Sequence, residues 1–251
     1  METELIVNNI NFNTIPRGQT QKDVNKSILK FFAELKTKDK FVFDSILDIP
    51  CGKGEFVSYF KKAFNLKNVC GADIKKVSLP EIAVYEIDAS QNFTNKFRQK
   101  FSIITCISGV MEFDNTTGFI RSCKNLLDEK GYLVLTNDNC FTIRDRISYL
   151  LFGKFRRFNL LIKESGSTYK YIPIQELIKI LSENKLEILK IKYTSLYSED
   201  FLLLPFALLI YPLQYFYLNN KYRNFDKRLR KMVYPFMSLL CRHYIIYATK
   251  G

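Results

Sequence analysis

The sequence lacks the paired motifs by which metal centres and disulfide frameworks are usually recognised. Its six cysteines are scattered without a Cys-x-x-Cys pair, and most lie in apolar, strand-like runs where a buried thiol is common. We therefore expect no zinc site, no disulfide framework and no metal in the functional site. The acidic N-terminus also has too short an apolar run for a signal peptide, which predicts a cytoplasmic protein.

Two common nucleotide-binding fingerprints are also missing. The apolar run from Val42 to Ile49 predicts a buried strand, and the apolar residues that follow Gly52 and Gly54 recur at helical spacing. A strand, a glycine turn and a helix in this order are typical of a nucleotide-type site. However, Val57 stands where a dinucleotide fingerprint needs its third glycine, and the spacing and the Lys-Ser or Lys-Thr pair of a Walker loop are absent.

The stretch Asp48-Ile49-Pro50-Cys51-Gly52-Lys53-Gly54 resembles motif I of the class I S-adenosylmethionine-dependent methyltransferases. The usual form of that motif is acid, apolar, Gly, Cys, Gly, x, Gly, so Pro50 replaces the first glycine here. Proline fixes one backbone angle and removes a hydrogen-bond donor, so we expect a stiffer turn and one cofactor contact fewer. The alternative is an ordinary strand-to-helix turn of an α/β protein.

Two further acids close the next two predicted strands. Asp73 ends the strand that begins at Asn68, and Asp88 follows the strand from Ile82 to Ile87. The resemblance implies that Asp73 accepts hydrogen bonds from a ribose, that Ile74 lies against an adenine and that Asp88 and its neighbour meet the adenine amino group. The predicted S-adenosylmethionine site therefore consists of Asp48, Pro50, Cys51, Gly52, Gly54, Asp73, Ile74, Asp88, Ala89, Ser108 and Gly109.

The same resemblance suggests where a catalytic base stands. Glu112 follows the fourth predicted strand at a place where the family often has Glu, and we take it as the general base with Asp138 in reserve. The family pattern would put His where Phe113 stands, and His again where Thr168 stands, so no base is expected at either position. The only histidine, His243, lies in the last predicted strand and is expected to be packed or exposed at an edge.

The remaining pattern predicts an α/β fold. Five strands alternate with helices over residues 41–137, which implies a mostly parallel sheet whose ligand site lies beyond the carboxyl ends of the strands. We expect a Rossmann-like class I methyltransferase fold with seven strands, helices on both faces, an N-terminal helix and a helical insertion before the last strand. The predicted units are 1–40 as an N-terminal helical segment, 41–193 with 241–251 as the methyltransferase domain, and 194–240 as the insertion.

The net charge of +13 is concentrated in the second half of the chain. Residues 1–140 carry 19 basic and 17 acidic side chains, whereas residues 141–251 carry 19 and 8. Within that half, 143–158 mixes arginines with aromatic residues, and 201–218 is apolar apart from Gln214 and is followed by a basic cluster. This arrangement predicts an interfacial helical hairpin at 201–240 that lies on an anionic membrane surface. The alternative is that the same segment forms a hydrophobic lid or a dimer interface and is buried by protein.

These observations predict an S-adenosylmethionine-dependent methyltransferase that acts on a hydroxyl of a glycan, a lipid-linked intermediate or a small metabolite at the cytoplasmic membrane face. The Asn-Pro-Pro-Tyr and Asp-Pro-Pro-Tyr motifs of enzymes that methylate exocyclic base nitrogens are absent, so nucleic acid is a less favoured partner. Three alternatives remain open: an RNA methyltransferase that uses the basic half, a quinone or other lipid methyltransferase, and a scaffold whose cofactor site is disabled by Pro50.

Overall fold

A computed structural model describes residues 10–11, 14–38, 42–75, 77–158 and 170–250. The part described contains seven strands: β1 Ser45–Asp48, β2 Asn68–Asp73, β3 Ala83–Glu86, β4 Phe101–Cys106, β5 Leu127–Asp138, β6 Leu186–Thr194 and β7 His243–Lys250. It also contains seven α-helices: α1 Val24–Thr37, α2 Glu55–Phe64, α3 Thr116–Leu126, α4 Ile143–Phe152, α5 Ile174–Glu183, α6 Leu204–Lys221 and α7 Lys227–Val233. Thr168 lies outside the described residues.

The strands form one sheet in the order β3-β2-β1-β4-β5-β7-β6. Pairing is parallel from β3 through β5, and β7 runs antiparallel to both β5 and β6. The carboxyl ends of β1 to β6 therefore share one edge of the sheet, where β7 begins. Because the chain between β6 and β7 leaves and re-enters at this edge, the insertion lies on the same side as the predicted ligand site.

Successive strand residues point to opposite faces, and both faces are covered. Ile46 and Ile103 pack with α1 and α2 in one cluster of buried residues, and their neighbours Leu47 and Ile104 pack with α3 and α5 in a second. On the first face, Phe56 and its successors at helical spacing hold α2 against the sheet. The predicted seven-stranded, mostly parallel α/β fold with helices on both faces is confirmed.

One boundary differs from the sequence expectation. The apolar spacing predicts a third helix over Thr117 to Leu127, and Gly131 is expected to separate it from a fifth strand that starts at Tyr132. The helix α3 ends at Leu126, close to this expectation, but β5 begins at once with Leu127. Leu127 pairs with Phe101, whereas Tyr132 pairs with Ile103, so the residues between them bulge out of the ladder. The bulge keeps the apolar residues of β5 in register with β4, and hydrophobic periodicity does not reveal such an offset.

The insertion is helical, but it is not a hairpin with two exposed apolar arms. The helix α6 is apolar all round, and most of its side chains are exposed. The second apolar run packs inward instead, because Val233, Leu239 and Leu240 are buried against the body of the protein. The expectation of an interfacial hairpin is therefore wrong for its second arm, which supplies core contacts that the sequence did not distinguish from surface ones.

Candidate cofactor site

A cavity of about 540 Å³ opens at the carboxyl edge of the sheet. Its volume lies within the range of small-molecule sites, about 300–1,000 Å³. The structure brings nearly all of the predicted site residues to its wall: Asp48, Pro50, Cys51, Gly52, Asp73, Ile74, Asp88, Ala89, Ser108, Gly109 and Glu112. Gly54 is the exception, since it is buried and does not line the cavity.

Gly54 was predicted to contact the cofactor, but the structure requires a glycine here because of the turn conformation and the packing of Leu79. It has a φ of +72° where the turn enters α2, and a Cβ atom at this position would lie 2.1 Å from Leu79 Cδ1. Gly52 also has a positive φ, +52°, but the nearest atom to an added Cβ there is 4.0 Å away. Gly52 therefore faces the open cavity, whereas Gly54 allows Leu79 to pack against the turn.

Pro50 and Cys51 fit against two other glycines. A Cβ atom on Gly109 would lie 2.2 Å from Pro50 Cδ, so the proline ring occupies the space that Gly109 leaves free. Likewise, a Cβ atom on Gly71 would lie 2.9 Å from Cys51 Sγ. The proline that departs from the family motif is thus accommodated by the loop after β4, and it lines the cavity without closing it.

The Asp73 carboxylate is held by backbone groups at the end of β2. The Gly52 N–H donates to Asp73 Oδ2 at 2.8 Å, and the Lys75 N–H donates to Oδ1 at 3.3 Å. Each carboxylate oxygen has a second lone pair, so the group can still accept hydrogen bonds from two adjacent hydroxyls. Asp73 is thus held in place on the wall of the cavity with acceptor capacity for the predicted ribose contact, and Ile74 beside it is 66% exposed.

Asp48 lies deeper, at the end of β1. Its side chain is buried, and the Thr105 hydroxyl donates to Oδ1 at 2.6 Å. Burial raises the pKa of Asp48 to about 7, an effect that the Thr105 hydrogen bond opposes and the nearby charge of Asp73 reinforces. Near neutral pH the protonated and ionised forms of Asp48 therefore have similar populations, and a cationic ligand in the cavity would favour the ionised form.

The N-terminal loop forms the opposite wall of the cavity. Residues 17–20 line it, and the Asn25 side chain fixes this loop by donating to the carbonyls of Pro16 and Arg17 at 2.8 and 3.1 Å. The Thr20 hydroxyl then lies 2.7 Å from Ser108 Oγ, which joins the loop to the end of β4. The turn that contains Arg17 and Gly18 thus borders the site.

A buried polar cluster adjoins the cavity at Ser108. His243 Nε2 lies 3.5 Å from Ser108 Oγ, and His243 Nδ1 lies 3.3 Å from Asp138 Oδ1. Arg157, which lines the cavity, approaches Asp138 Oδ2 with its Nε at 2.9 Å. Of the two outcomes expected for His243, packed or edge-exposed, the structure shows the first, with a side chain 1% exposed.

Sequence reasoning did not identify the contributions of Thr20, Arg157 and His243. The signal for His243 lies in strand pairing, because β7 runs antiparallel to β5 and sets His243 opposite Asp138. No comparable signal exists for Thr20 or Arg157, which lie on irregular segments outside any motif. Glu112 lies on the wall of the cavity with an exposed side chain, and its role as the base stays a prediction, as do the contacts assigned to the other site residues.

A family model described as "Methyltransferase domain" matches residues 17–191, which is more than half of the chain. The chain belongs to this methyltransferase family. The predicted class, the S-adenosylmethionine-dependent methyltransferases, is thereby confirmed, together with S-adenosylmethionine as the cofactor of the enzyme. The division into three units is not tested and stays a prediction.

Individual relatives agree with this assignment. The ubiquinone biosynthesis O-methyltransferase of Glaesserella parasuis serovar 5 (strain SH0165) is 33% identical over 91 residues, which span 36% of this chain and 37% of that enzyme. A SAM-dependent methyltransferase from Archaeoglobus fulgidus has the same fold, with a TM-score of 0.54, 15% identity and coverage of 90% of this chain and 94% of that chain. The plantazolicin methyltransferase BamL, solved in complex with SAH, also has this fold. Its TM-score is 0.54 at 14% identity, and the match covers 90% of this chain and 84% of that chain.

The residues of the methyltransferase fit this cofactor. The oriented Asp73 carboxylate suits the ribose, and exposed Ile74 offers an apolar face to an adenine. Gly52 leaves the backbone approachable from the cavity, and Asp48 suits the positive charge of the sulfonium and amino groups. These residues therefore offer suitable partners for the ribose, the adenine and the positively charged end of the cofactor.

Proposed function

We propose that the methyltransferase transfers a methyl group to a hydroxyl of a lipid-borne acceptor at an anionic membrane surface. The observation that carries the proposal is a set of exposed apolar side chains on α4 and α6. It consists of Leu150, Leu151 and Phe152 on α4 and of Phe206, Leu208, Leu209, Leu213 and Phe216 on α6. We refer to these residues as the apolar surface.

The two helices that carry the apolar surface are joined side by side. Arg146 on α4 donates to Gln214 Oε1 on α6 at 2.7 Å, and Ile143 packs with Ala207 in one buried cluster. The stretch Ser198–Lys221, which contains α6, is long and apolar enough to cross a membrane by length and composition, although only 6% of its apolar window is buried. A helix that is apolar all round and yet exposed is expected to contact lipid or another protein.

Its position in the fold favours contact along the membrane rather than across it. The insertion leaves and re-enters the sheet at the carboxyl edge, so both of its ends lie on the side of the cofactor cavity. Arg157 on the cavity wall follows the end of α4 by only five residues. A membrane that receives the apolar surface would therefore lie near the entrance of the site, as a lipid-borne acceptor requires.

The charges around α6 suit an anionic leaflet. Exposed basic residues lie at the end of the helix, Lys221, and after it, at Arg223, Lys227 and Arg228. Each basic residue near such a surface contributes roughly 1 kcal/mol of attraction. The arginines around α4 contribute less, because Arg144 pairs with Asp200 at 3.2 Å and Arg157 with Asp138 at 2.9 Å. This internal pairing also weakens the alternative of an extended RNA-binding face.

A hydroxyl acceptor is consistent with the chemistry of the site. The cofactor supplies an activated methyl group, so the protein needs only to align the acceptor and remove its proton. The curated relative is an O-methyltransferase of ubiquinone biosynthesis, which supports a phenolic hydroxyl on a lipid as one source of the acceptor. A sugar hydroxyl on a glycolipid is the other source.

The test measures the transfer of radiolabelled methyl from S-adenosylmethionine to defined acceptors. A farnesylated catechol and a diacylglycerol glycolipid are each presented in phosphatidylglycerol-containing vesicles, and unmodified catechol and glucose are presented in buffer. We expect at least tenfold faster methylation of one vesicle-borne acceptor than of its soluble counterpart, and the arm that reacts identifies the source. RNA is added as a further acceptor in buffer. Equal rates with and without vesicles, or faster methylation of the RNA than of either vesicle-borne acceptor, would refute the proposal.

Membrane contact is tested separately by vesicle flotation of the double variant Leu209→Gln with Leu213→Gln. Both side chains are about 70% exposed, so the fold should tolerate the change, whereas binding to anionic vesicles should fall at least tenfold because apolar area is no longer transferred from water. The matched control is Val42→Gln, at an apolar position that is 90% exposed outside the apolar surface. Equal binding by the double variant and the control would argue against the assigned surface.

A further inference from the structure

The buried cluster beside the cofactor cavity has the arrangement of a proton-accepting relay. Ser108 lines the cavity, His243 lies behind it and Asp138 lies behind His243. The three residues come from the loop after β4, the start of β7 and the end of β5, and the strand register sets Asp138 directly opposite His243. Two of the three side chains are buried, so solvent does not compete for their polar atoms.

Ser108 is held in an uncommon conformation. Its φ is +56°, in the left-handed region that non-glycine residues seldom adopt. Its N–H donates to Thr136 Oγ1 at 2.8 Å, and its hydroxyl contacts Thr20 at 2.7 Å and His243 at 3.5 Å. Strained residues fixed by several partners are enriched at functional sites, and here the constraint aims a hydroxyl at the boundary between the cavity and the imidazole.

Asp138 is suited to orient the imidazole rather than to take up a proton itself. Burial opposes its ionisation, but the hydrogen bond with His243 and the charges of Arg157 and Arg156 outweigh that effect and hold the pKa of Asp138 below its usual range. An ionised carboxylate beside Nδ1 favours a proton on that nitrogen and leaves Nε2 as an acceptor. This tautomer presents the Nε2 lone pair to Ser108.

We propose that Ser108 and His243 form the path by which the acceptor hydroxyl loses its proton, and that Asp138 is the positioning residue of this path. The proposal rests on the proposed function to the extent that the acceptor group is a hydroxyl. It assigns to Ser108 and His243 the role that the sequence suggested for Glu112. The distance of 3.5 Å between Ser108 Oγ and His243 Nε2 is at the outer limit of a hydrogen bond, and such contacts often shorten when substrate binds.

The step balances within the site. The acceptor oxygen forms a bond to the methyl carbon as the bond from that carbon to sulfur breaks, and the electron pair of the broken bond stays on sulfur. The acceptor proton passes to Ser108 Oγ, whose own proton passes to His243 Nε2. The resulting imidazolium is stabilised by the Asp138 carboxylate, and it returns the proton to solvent after product release.

The groups around the cluster leave the imidazole as its natural proton acceptor. His243 contacts Asp138 of β5 and the Ser108 hydroxyl. Arg156 and Arg157, from the segment after α4, act on Asp138, and Thr20 contacts Ser108. Cys140, in the loop after β5, is a protonated thiol at neutral pH because burial raises its pKa to about 12. Of these side-chain types, only an imidazole ordinarily changes charge near neutral pH.

The first test is nuclear magnetic resonance of the imidazole nitrogens, which needs no acceptor. His243 is the only histidine, so every imidazole signal belongs to it. At neutral pH we expect the wild-type ring to carry its proton on Nδ1, and we expect Ser108→Ala and the exposed control Glu183→Gln to leave this tautomer unchanged. A proton on Nε2 in the wild-type protein would overturn the proposal, because that nitrogen could not accept the Ser108 proton.

The second test is a kinetic comparison with whichever acceptor reacts in the vesicle assay. Ser108→Ala and His243→Gln should each lower kcat at least 100-fold, and His243→Gln, which does not line the cavity, should keep the acceptor KM and the dissociation constant of SAH within about twofold of wild type. In the wild-type protein kcat should rise with pH as the imidazole becomes able to accept a proton, and this rise should be absent from His243→Gln. Any effect of Asp48 on the pH dependence of kcat should be the same in the wild-type protein and in His243→Gln. Near-wild-type kcat in both variants, with a loss in Glu112→Gln, would overturn the relay.

The two tests separate this inference from the proposed function. If no hydroxyl acceptor reacts but the Nδ1 tautomer is found, the acceptor assignment has failed and the geometry of the relay stands. If a hydroxyl acceptor reacts and the ring carries its proton on Nε2, the proposed function stands and the relay is wrong.

Discussion

Gly54 illustrates how a residue can match a family motif for a reason other than ligand contact. Its positive φ and the close approach of Leu79 both exclude a side chain, although the residue does not line the cavity. Pro50 shows the converse, since it departs from the motif, lines the cavity and is accommodated by Gly109. At the scale of single residues, the turn is therefore defined by local packing as much as by the cofactor.

Gly54→Ala should lower the free energy of unfolding by about 3 kcal/mol, because a left-handed alanine costs roughly 1–2 kcal/mol and the clash with Leu79 adds to it. The matched control is Gly153→Ala, where φ is +65° and no atom lies within 4 Å of the added Cβ, so a loss of about 1 kcal/mol is expected. Urea denaturation measures both. Equal losses would mean that Leu79 moves away at no cost.

Asp48 should make stability depend on pH. Burial raises its pKa to about 7, whereas an unfolded aspartate titrates near 3.9, so between these values the folded chain binds a proton that the unfolded chain releases. The stability that Asp48 contributes is present in full below about pH 4 and is lost as the pH rises through 7. A shift of this size corresponds to about 4 kcal/mol.

Asp48→Asn removes this titration and keeps an acceptor for the Thr105 hydroxyl. Relative to the wild-type protein, the variant should therefore gain about 4 kcal/mol of unfolding free energy between pH 4 and pH 8. Urea denaturation at several pH values gives the difference between the two proteins. A difference that does not change with pH would show that Asp48 titrates normally.

At the scale of elements, the root of the insertion is fixed by one buried acid. Asp200 is 2% exposed, and Arg242 donates to both of its oxygens at 2.7 Å. Arg144 on α4 donates to the same carboxylate at 3.2 Å, and the Arg242 guanidinium lies 4.4 Å from the centre of the Tyr197 ring. These contacts join α4, β7 and the start of the insertion.

Asp200→Asn should therefore cost about 3 kcal/mol of unfolding free energy, because it leaves the mostly buried Arg242 guanidinium without its main partner. The control is Glu199→Gln, which removes the exposed member of the same network and should cost much less than Asp200→Asn, because solvent screens that ion pair. Thermal unfolding compares the two variants, and limited proteolysis should cut Asp200→Asn first within 194–240. Equal effects of the two variants would contradict the assigned role of Asp200.

The elements differ in how far the sequence could predict them. Strands β1 to β3 were identified from apolar runs that each end in an acid, and α2 from its helical spacing, because those signals are local. The start of β5 was missed, since it depends on pairing with Phe101 across a bulge. The sequence also did not predict that the first apolar run of the insertion is exposed and the second is buried, because hydropathy alone does not distinguish a buried run from an exposed one.

At the scale of the whole molecule, the site is formed by chain segments that lie far apart in the sequence. The family motif predicted the residues at the ends of β1 to β3, which line one side of the cavity. The other side combines Thr20 and Ser108 with the cluster of Asp138, Arg157 and His243. Those contacts follow from the strand order and from the path of irregular loops, which periodicity and composition do not determine.

The central claim is that the cavity at the carboxyl edge of the sheet binds S-adenosylmethionine with Asp73 at the ribose. The most direct measurement is a calorimetric titration of the wild-type protein, Asp73→Ala and the exposed control Glu183→Ala with S-adenosylmethionine and SAH. We expect one saturable site in the wild-type protein and the control, and at least tenfold weaker binding of both ligands to Asp73→Ala, since a hydrogen bond to a charged group contributes about 1.5–3 kcal/mol. Unchanged affinity in Asp73→Ala would contradict the placement of the ribose, and absence of binding to the wild-type protein would contradict the account of the site as a whole.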